Sequence, residues 1–102
     1  MKVNFYATLR AVVGAKTVEL ELNRRATVEE LIYEIVKRYP ALHEHLIDRQ
    51  GKLHGHIHVF VNGRDVYYLE DDYKTLLNPE DKVDIFPPVG GGWRRMRSQP
   101  TL

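Results

Sequence analysis

The sequence contains no cysteine and no long apolar run. Without cysteine, the chain has no disulfide framework and no thiolate that could act as a nucleophile or a metal ligand. No apolar run approaches the ~18 residues of a membrane-spanning helix, and the N-terminus, MKVNFYATLR, lacks the layout of a signal peptide. We therefore expect a cytoplasmic protein that does not bind a membrane.

A large charge of one sign is also missing. The 15 Lys and Arg residues nearly balance the 14 Asp and Glu residues, and the formal net charge is +1. The basic excess lies in residues 93–102, which contain Arg94, Arg95 and Arg97 and no acid. Since the rest of the chain lacks the basic field of a nucleic-acid-binding domain, we expect no nucleic-acid partner. A length of 102 residues with 43% hydrophobic residues indicates one small soluble domain.

Alternation of apolar and polar residues predicts a hairpin at the start of the chain. We expect one strand over residues 2–9, a turn over 10–15 that contains Gly14, and a second strand over 16–22. The residues expected to face the core are Val3, Phe5, Ala7, Leu9, Val18, Leu20 and Leu22. Each strand has one polar side, so the pair is predicted to be antiparallel with one face in solvent.

The clearest helix signal begins at Thr27. Thr27 and Glu30 fit a capping box, in which each side chain accepts a hydrogen bond from a free backbone N–H at the helix start. Apolar residues then recur at helical spacing and stop before Pro40, which cannot continue a helix. They are Val28, Leu31, Ile32, Ile35, Val36 and Tyr39. We predict an amphipathic helix that covers one face of a sheet.

The second half of the chain predicts shorter elements. The first is a turn or two of helix in residues 41–48, with Leu42, Leu46 and Ile47 toward the core. A strand over 56–62, a hairpin turn at Asn62-Gly63 and a return strand over 66–69 follow. A loop anchored by Leu76 and Leu77 then leads to a final strand over 82–86 with Val83 and Ile85 inward. One sheet with one helix across it, an α+β fold, buries all these apolar faces.

Five histidines raise the question of a metal site. His54, His56 and His58 have a spacing of two and would point to the same side of a strand. Neighbours on that side are ~7 Å apart, too far for three rings to meet at one ion, so we expect exposed, solvated histidines and no bound metal. No Ser–His–Asp grouping stands out, and the glycines at 90–92 precede no helical pattern that would make a phosphate site. A self-contained enzyme is therefore not expected.

Three aromatic residues are predicted to face away from the core. By alternation with their apolar neighbours, Tyr6, Phe60 and Phe86 turn toward solvent. An apolar patch on the open side of a small sheet is typical of a partner-binding surface. The alternative is that the rings are scattered, or that the C-terminal tail covers them through Trp93.

The stretch Phe86-Pro87-Pro88-Val89-Gly90-Gly91-Gly92 joins a stiff part to a slim one. Proline fixes φ and removes the N–H, whereas glycine has no Cβ and can bend or pass a narrow opening. Such a stretch suits a tail that enters the active site of another protein; the alternative is a strand end followed by a linker. The change in composition divides the chain into a domain over residues 1–92 and a basic extension over 93–102 that we expect to be disordered.

Residues 3–92 resemble the β-grasp, ubiquitin-like sulfur carriers of the MoaD/ThiS type, and most of all the small, sulfur-carrier subunit of molybdopterin synthase (MoaD). The segments that carry the resemblance are VNFYATLRAVVG, ATVEELIYEIVKRYP, VFVNGRDV and DKVDIFPPVGGG. The resemblance implies a mixed, mostly antiparallel sheet of four or five strands packed against one main helix. It also implies that the last strand lies between the first and the long middle strand, which would place Tyr6, Phe60 and Phe86 side by side.

The resemblance further implies a mechanism centred on Gly92. In this family an adenylating, MoeB/ThiF-like enzyme uses ATP to activate the terminal glycine carboxylate, and sulfur then replaces the adenylate to give a thiocarboxylate. A MoaE-like large subunit of molybdopterin synthase accepts the tail and delivers the sulfur to a pterin precursor of the molybdenum or tungsten cofactor. The chain would be the non-catalytic sulfur donor and would bind no cofactor itself. Its partner-binding residues would be Tyr6, Phe60, Phe86, Pro87, Pro88, Val89, Gly90 and Gly91.

The sequence departs from the family after the glycines, where WRRMRSQPTL follows. Gly92 has a carboxylate only after this extension is removed by a protease that trims a precursor; otherwise the chain is a non-conjugated interaction domain. Two other functions that use Gly92 stay open. One is a ubiquitin-like modifier joined to lysines of other proteins through Gly92, and the other is a sulfur carrier for thiamine or tRNA.

Overall fold

The computed structural model describes residues 1–22 and 25–87. The strands in these ranges are β1 (Lys2–Phe5), β2 (Thr17–Glu19), β3 (His58–Val61), β4 (Arg64–Asp65) and β5 (Lys82–Phe86). The α-helices are α1 (Thr8–Val13), α2 (Val28–Arg38) and α3 (His43–Leu46), and 3₁₀ turns lie at Pro40–Leu42, Val66–Tyr68 and Asp72–Lys74. Within the same two ranges, no helix has the length and apolar character needed to cross a membrane.

The strands form one sheet in the order β2-β1-β5-β3-β4. β5 lies in the centre, parallel to β1 and antiparallel to β3, while the outer pairs β1–β2 and β3–β4 are antiparallel. The register places Val3 beside Val83 and Phe5 beside Ile85. The structure confirms the predicted α+β fold, including the position of the last strand between the first strand and the middle strand.

Helix α2 packs on one face of this sheet and closes the core. The capping box is present: the Glu30 N–H donates to Thr27 Oγ1 over 3.1 Å, and the Thr27 N–H donates to Glu30 Oε1 over 2.9 Å. The apolar stripe of the helix is fully buried at four positions, Val28, Leu31, Ile32 and Ile35. These residues share one core with the inward side chains of the three central strands, Val3, Phe5, Val59, Val61, Val83 and Ile85.

The first strand is shorter than predicted. It ends at Phe5, and Ala7 has a φ of 53°, which turns the chain into α1. Ala7 is exposed, so its predicted place in the core is wrong, whereas Leu9 is buried because α1 returns it to the sheet. Helix α1 replaces the predicted turn. Gly14 ends this helix with a φ of 83°, and its N–H donates to the carbonyl of Arg10 over 2.8 Å.

The return strand predicted over residues 66–69 is also wrong. The predicted turn at Asn62-Gly63 is present, with φ values of 52° and 84°, but β4 ends at Asp65. The Asp65 carboxylate accepts a hydrogen bond from the Tyr67 N–H over 2.9 Å. This side-chain cap starts a 3₁₀ turn where the alternation of residues predicted a strand.

The loops on either side of β3 and β4 anchor to the core mostly as predicted. Leu42, Leu46 and Ile47 are buried, which confirms the short helical segment that folds back onto the core. Of the two predicted anchors in the later loop, Leu77 is buried and Leu76 is 50% exposed. Leu76 forms an antiparallel bridge with Thr27, and the Leu77 N–H donates to the carbonyl of Ala26 over 2.8 Å. Successive side chains of such extended backbone point to opposite sides, so only one of the two leucines faces inward.

Candidate docking face and tail-bearing strand

Strand β5 carries the start of the predicted tail and has a neighbour on each side. Its residues Val83 and Ile85 are fully buried in the core, and Phe86 faces the opposite, outer face of the sheet. The Tyr6 N–H donates to the carbonyl of Ile85 over 3.2 Å, and His58 of β3 lies opposite Phe86. Pro87, the last described residue, is buried. The sheet therefore fixes both the point and the direction in which the chain leaves the domain.

The three predicted aromatic residues meet on the outer face. The rings of Tyr6 and Phe86 stack with centroids 4.2 Å apart and an interplanar angle of 9°. The Phe60 ring meets Phe86 edge-on at 5.6 Å. All three side chains are half-buried, and the Arg10 guanidinium lies 5.9 Å from the centroid of the Tyr6 ring. We call Tyr6, Phe60 and Phe86 the aromatic cluster; its role in partner binding stays a prediction.

A carboxylate lies beneath the aromatic cluster. Asp84 is 9% exposed, and its Oδ1 accepts hydrogen bonds from Asn4 Nδ2 at 2.8 Å and from the Tyr6 hydroxyl at 3.0 Å. The Asn4 amide oxygen accepts in turn from the Thr17 hydroxyl at 2.6 Å. These bonds run across β2, β1 and β5 and hold the Tyr6 ring against Phe86. Sequence reasoning missed this network, although the alternation that turned Tyr6 and Phe86 outward also turns Asn4 and Asp84 outward.

The Tyr6 hydroxyl is held in its protonated form. Burial of the ring raises the pKa of Tyr6 above its ordinary value of 10, and the hydrogen bond to Asp84 and the negative charge of Asp84 raise it further. The nearby Arg10 guanidinium opposes this effect. Tyr6 therefore remains a hydrogen-bond donor to the carboxylate throughout the physiological pH range.

The remaining predicted site residues lie outside the described part of the chain. They are Pro88, Val89, Gly90, Gly91 and Gly92, together with the boundary predicted between residues 92 and 93. The described site therefore consists of the aromatic cluster, the Asp84 network and Pro87.

The histidines are placed differently from the prediction. Strand β3 begins at His58, so His54 and His56 precede the strand and do not share one of its faces. His54 and His58 are half-buried, which corrects the expectation that they are solvated, and His56 is exposed. His58 Nδ1 lies 3.6 Å from an Asp65 carboxylate oxygen. Over residues 1–22 and 25–87, no group of three His, Cys, Asp or Glu side chains could hold a metal ion.

These histidines line a cleft that sequence reasoning did not identify. The cleft has a volume of about 670 Å³ and lies between the start of α2, the segment before β3, and the 3₁₀ turns after β4. Its other lining residues include Glu29, Lys52, Asp65, Tyr67, Tyr68 and Tyr73. Burial raises the pKa of Tyr73 to about 12, with smaller contributions from the charges of Asp72 and Asp65. We call this feature the His/Tyr cleft.

The fold and the tail-bearing strand define a class of protein. One amphipathic helix across a mixed sheet, with the last strand in the centre and a proline- and glycine-rich sequence following it, is the ubiquitin-like β-grasp architecture. The chain belongs to the ThiS family, whose model matches residues 3–92. The predicted membership of the ubiquitin-like sulfur carriers is therefore confirmed.

The chain is similar over nearly its whole length to archaeal modifier proteins. It is 37% identical over 92 residues to small archaeal modifier protein 3 of Haloferax volcanii. The aligned residues cover 90% of this chain and 98% of the relative. The crystal structure of small archaeal modifier protein 1 from the same organism superposes with a TM-score of 0.77 at 30% identity, covering 90% of this chain and 98% of that chain.

Two further solved structures are similar to the chain. One, from Pyrococcus furiosus, is provisionally named molybdopterin converting factor, subunit 1; its TM-score is 0.68 at 33% identity, covering 86% of this chain and 95% of that chain. The other belongs to the BexX/CysO complex of Amycolatopsis orientalis, with a TM-score of 0.70 at 32% identity, covering 89% and 98%. The family is thus shown, while the narrower expectation of a molybdopterin synthase subunit matches one of several relatives.

Proposed function

We propose that this chain is a ubiquitin-like protein modifier and sulfur carrier that acts through the carboxylate of Gly92. The observation that carries the proposal is the central position of β5, which brings Phe86 and Pro87 to the end of the sheet directly before Pro-Val-Gly-Gly-Gly. The similarity to small archaeal modifier protein 3 over 92 residues supports the modifier function. The family match, which ends at residue 92, supports the domain boundary at that residue.

The proposed chemistry begins with hydrolysis of the peptide bond between Gly92 and Trp93. Water adds to the Gly92 carbonyl, the amine of Trp93 leaves, and Gly92 acquires a free carboxylate. An activating enzyme then joins this carboxylate to the α-phosphate of ATP, with pyrophosphate as the leaving group. The product is an acyl-adenylate, in which AMP has become a good leaving group.

The acyl-adenylate can react in two ways. The neutral amine of a lysine attacks the Gly92 carbonyl, AMP leaves and the nitrogen loses a proton, which gives an isopeptide bond to the target protein. Hydrosulfide (HS⁻) instead attacks the Gly92 carbonyl, AMP leaves and the sulfur loses its proton, which gives a thiocarboxylate on Gly92 with no change of oxidation state. Both products need the same slim tail and the same activating enzyme, so one chain can serve as modifier and as sulfur carrier.

In this proposal the aromatic cluster docks the activating enzyme. Tyr6, Phe60 and Phe86 offer half-buried rings next to the point where the chain leaves the sheet, and aromatic residues are enriched at such interfaces. Pro87 and Pro88 would direct the tail, and the glycines up to Gly92 would enter a narrow nucleotide site. The complex that contains BexX and CysO supports the expectation of a partner protein.

A second candidate is the small subunit of molybdopterin synthase. The Pyrococcus furiosus relative and the segment DKVDIFPPVGGG favour it. In that case a MoeB/ThiF-like enzyme adenylates Gly92, and a MoaE-like large subunit accepts the tail and passes the sulfur to a pterin precursor.

The test uses an N-terminally tagged chain expressed in its native cell. Trypsin cuts after Lys82, so a conjugated lysine would retain the peptide VDIFPPVGGG, which identifies this modifier among all others. We expect this remnant on lysines of several proteins, together with free chain that ends at Gly92 and carries oxygen or sulfur there. The control variant Gly92→Ala should give neither product.

The outcomes separate the candidates. Lysine remnants and a Gly92-ended species support the modifier. A thiocarboxylate without lysine remnants, combined with loss of molybdenum- or tungsten-enzyme activity on gene deletion and no rescue by Gly92→Ala, supports the synthase subunit. Recovery of the full 102-residue chain alone, with no conjugate, contradicts both and leaves an interaction domain.

A further inference from the structure

The His/Tyr cleft has no part in the proposed chemistry of Gly92. It lies beside β3 and β4, toward the sheet edge, whereas the aromatic cluster covers the central strands. Tyr67 and Tyr68 at its rim are 69% and 80% exposed, and their rings meet edge-on with centroids 5.1 Å apart. Two large solvent-exposed aromatic rings next to a cleft of about 670 Å³ indicate a ligand-binding or peptide-binding surface.

The charge of the rim indicates a cationic ligand. Asp65 lines the cleft, and the exposed acids Glu70, Asp71 and Asp72 follow Tyr67 and Tyr68 in the chain without lining the cleft. Residues 65–72 contain no base. Glu29 adds a further carboxylate at the start of α2, and Lys52 is the one lysine or arginine among the described lining residues. Tyrosine faces and carboxylates together bind the guanidinium group of arginine, through cation–π contact and ion pairing.

The chain contains a segment of matching chemistry. Residues 93–97, WRRMR, carry three arginines and one tryptophan and no acid. The chain leaves the sheet at Phe86, which pairs with His58, and His58 lines the cleft. Residues 87–92 span up to ~20 Å when extended, whereas β4 lies two strand spacings, or ~10 Å, from β5. A connection of this length is therefore long enough to span that distance.

We propose that the His/Tyr cleft binds residues 93–97 of the same chain, with arginines on the faces of Tyr67 and Tyr68 and paired with the acids in and beside the cleft. The short connection gives this segment a high effective concentration at the cleft, so that weak surface contacts suffice. This inference does not depend on activation of Gly92 and holds for the uncut, 102-residue chain.

Trp93 is the one tryptophan of the chain and reports directly on the segment. We compare its quenching by acrylamide in the full chain and in the free peptide WRRMRSQPTL. At low salt we expect quenching about twofold weaker in the full chain, because the cleft shields the ring. In 1 M salt, where screening acts over ~3 Å, the two values should approach each other.

Paired variants locate the contact. Tyr67→Ser/Tyr68→Ser changes two exposed residues that line the cleft, and Glu70→Gln/Asp71→Asn/Asp72→Asn changes three exposed acids that follow them in the chain. Each variant should raise quenching toward the value of the peptide. Glu21→Gln/Glu80→Gln removes two exposed acids that do not line the cleft and should leave quenching unchanged. Phe60→Leu tests the alternative that Trp93 covers the aromatic cluster.

Backbone NMR shifts provide a readout that does not rely on tryptophan. Replacing the three tail arginines with glutamine should move the amide signals of His54, Tyr67 and Tyr68 and leave those of β2, at the opposite edge of the sheet, in place. Trp93 quenching equal to that of the free peptide at low salt, or sensitivity to Phe60→Leu in place of the cleft variants, would overturn the proposal. A quenching value that changes on dilution would also overturn it, because the segment would then come from a second chain.

Discussion

Asp84 combines a charge with near-complete burial on a sheet face that otherwise contacts solvent. Its two donors, Asn4 and Tyr6, compensate for the lost hydration, since a buried carboxylate without hydrogen bonds is strongly destabilising. Tyr6 also stacks on Phe86 at 4.2 Å. Tyr6 thus links the buried carboxylate of Asp84 to Phe86, the ring that precedes the tail, and removal of its hydroxyl tests the first of these two contacts alone.

Removing the Tyr6 hydroxyl should destabilise the fold. Tyr6→Phe keeps the ring stacked on Phe86 but leaves the Asp84 carboxylate with one donor fewer. We expect a loss of ~1–2 kcal/mol in the free energy of unfolding, measured by urea denaturation. The matched control is Tyr33→Phe, because the Tyr33 hydroxyl donates to the exposed Gly51 carbonyl over 2.7 Å. Its loss should lower the free energy of unfolding by ~0.5 kcal/mol or less. Equal losses in the two variants would contradict the special role of Asp84.

Tyr73 makes stability depend on pH in the alkaline range. Its pKa is about 12 in the folded chain, above the ordinary value of 10, so the folded state holds the proton more tightly than the unfolded chain does. This contribution is fully present below pH 10 and is lost as the pH rises from about 10 to about 12. Urea unfolding across this range should give a steeper decline for the wild type than for Tyr73→Phe. Tyr67→Phe, which alters an exposed ring, should retain the steep decline.

At the scale of the elements, the stability of α2 depends on the capping box at its first residues. Thr27 and Glu30 satisfy each other's backbone N–H groups, and the helix then buries four apolar side chains against the sheet. Thr27→Ala should lower the free energy of unfolding by ~1 kcal/mol in urea denaturation. Thr8→Ala is the matched control, because Thr8 is exposed in a helix whose start has no side-chain cap, and it should change stability by less than ~0.5 kcal/mol. A similar loss in both variants would show that the cap contributes little.

The elements differ in how well local sequence predicts them. Helix α2 has a capping box and a long apolar stripe, and β5 alternates cleanly, so both are predictable. Helix α1 is not, because Leu9 continues the alternation of β1 and hides the turn that Ala7 makes at positive φ. Gly14, which ends α1 in the left-handed region, was a usable signal for a helix end. The 3₁₀ turn after β4 depends on one side-chain cap from Asp65, which outweighs the strand pattern.

The aromatic cluster and the His/Tyr cleft also differ in how well the sequence predicts them. The aromatic cluster is predictable because alternation turns each ring outward, Phe60 and Phe86 within their strands and Tyr6 directly after β1, and the ThiS-type strand order then brings the rings together. The His/Tyr cleft is not predictable, because its walls come from three segments that are far apart in sequence. Only the packing of α2 and the loops against β3 and β4 brings Glu29, His54 and Tyr67 to one place.

At the scale of the whole molecule, the sheet joins the two ends of the domain. Val3 of β1 pairs with Val83 of β5, and β3 pairs with β5 on the other side. A chain of residues 1–81 lacks this central strand and should be unfolded by circular dichroism and NMR, since β1 and β3 would lose their shared partner. A chain of residues 1–92 should fold with a free energy of unfolding within ~1 kcal/mol of the full chain. A folded 1–81 chain would show that β5 is dispensable.

The central place of the last strand has a consequence for synthesis. The ribosome makes β1 first and β5 last, and contacts between residues that are distant in sequence form late in folding. A nascent or prematurely terminated chain therefore exposes its apolar strand faces until β5 has been added, and such chains are the ones that cellular quality control removes. A cell consequently cannot accumulate a folded domain that lacks the strand leading to the glycines. A folded domain has therefore been translated at least as far as Phe86, four residues before the first of the glycines.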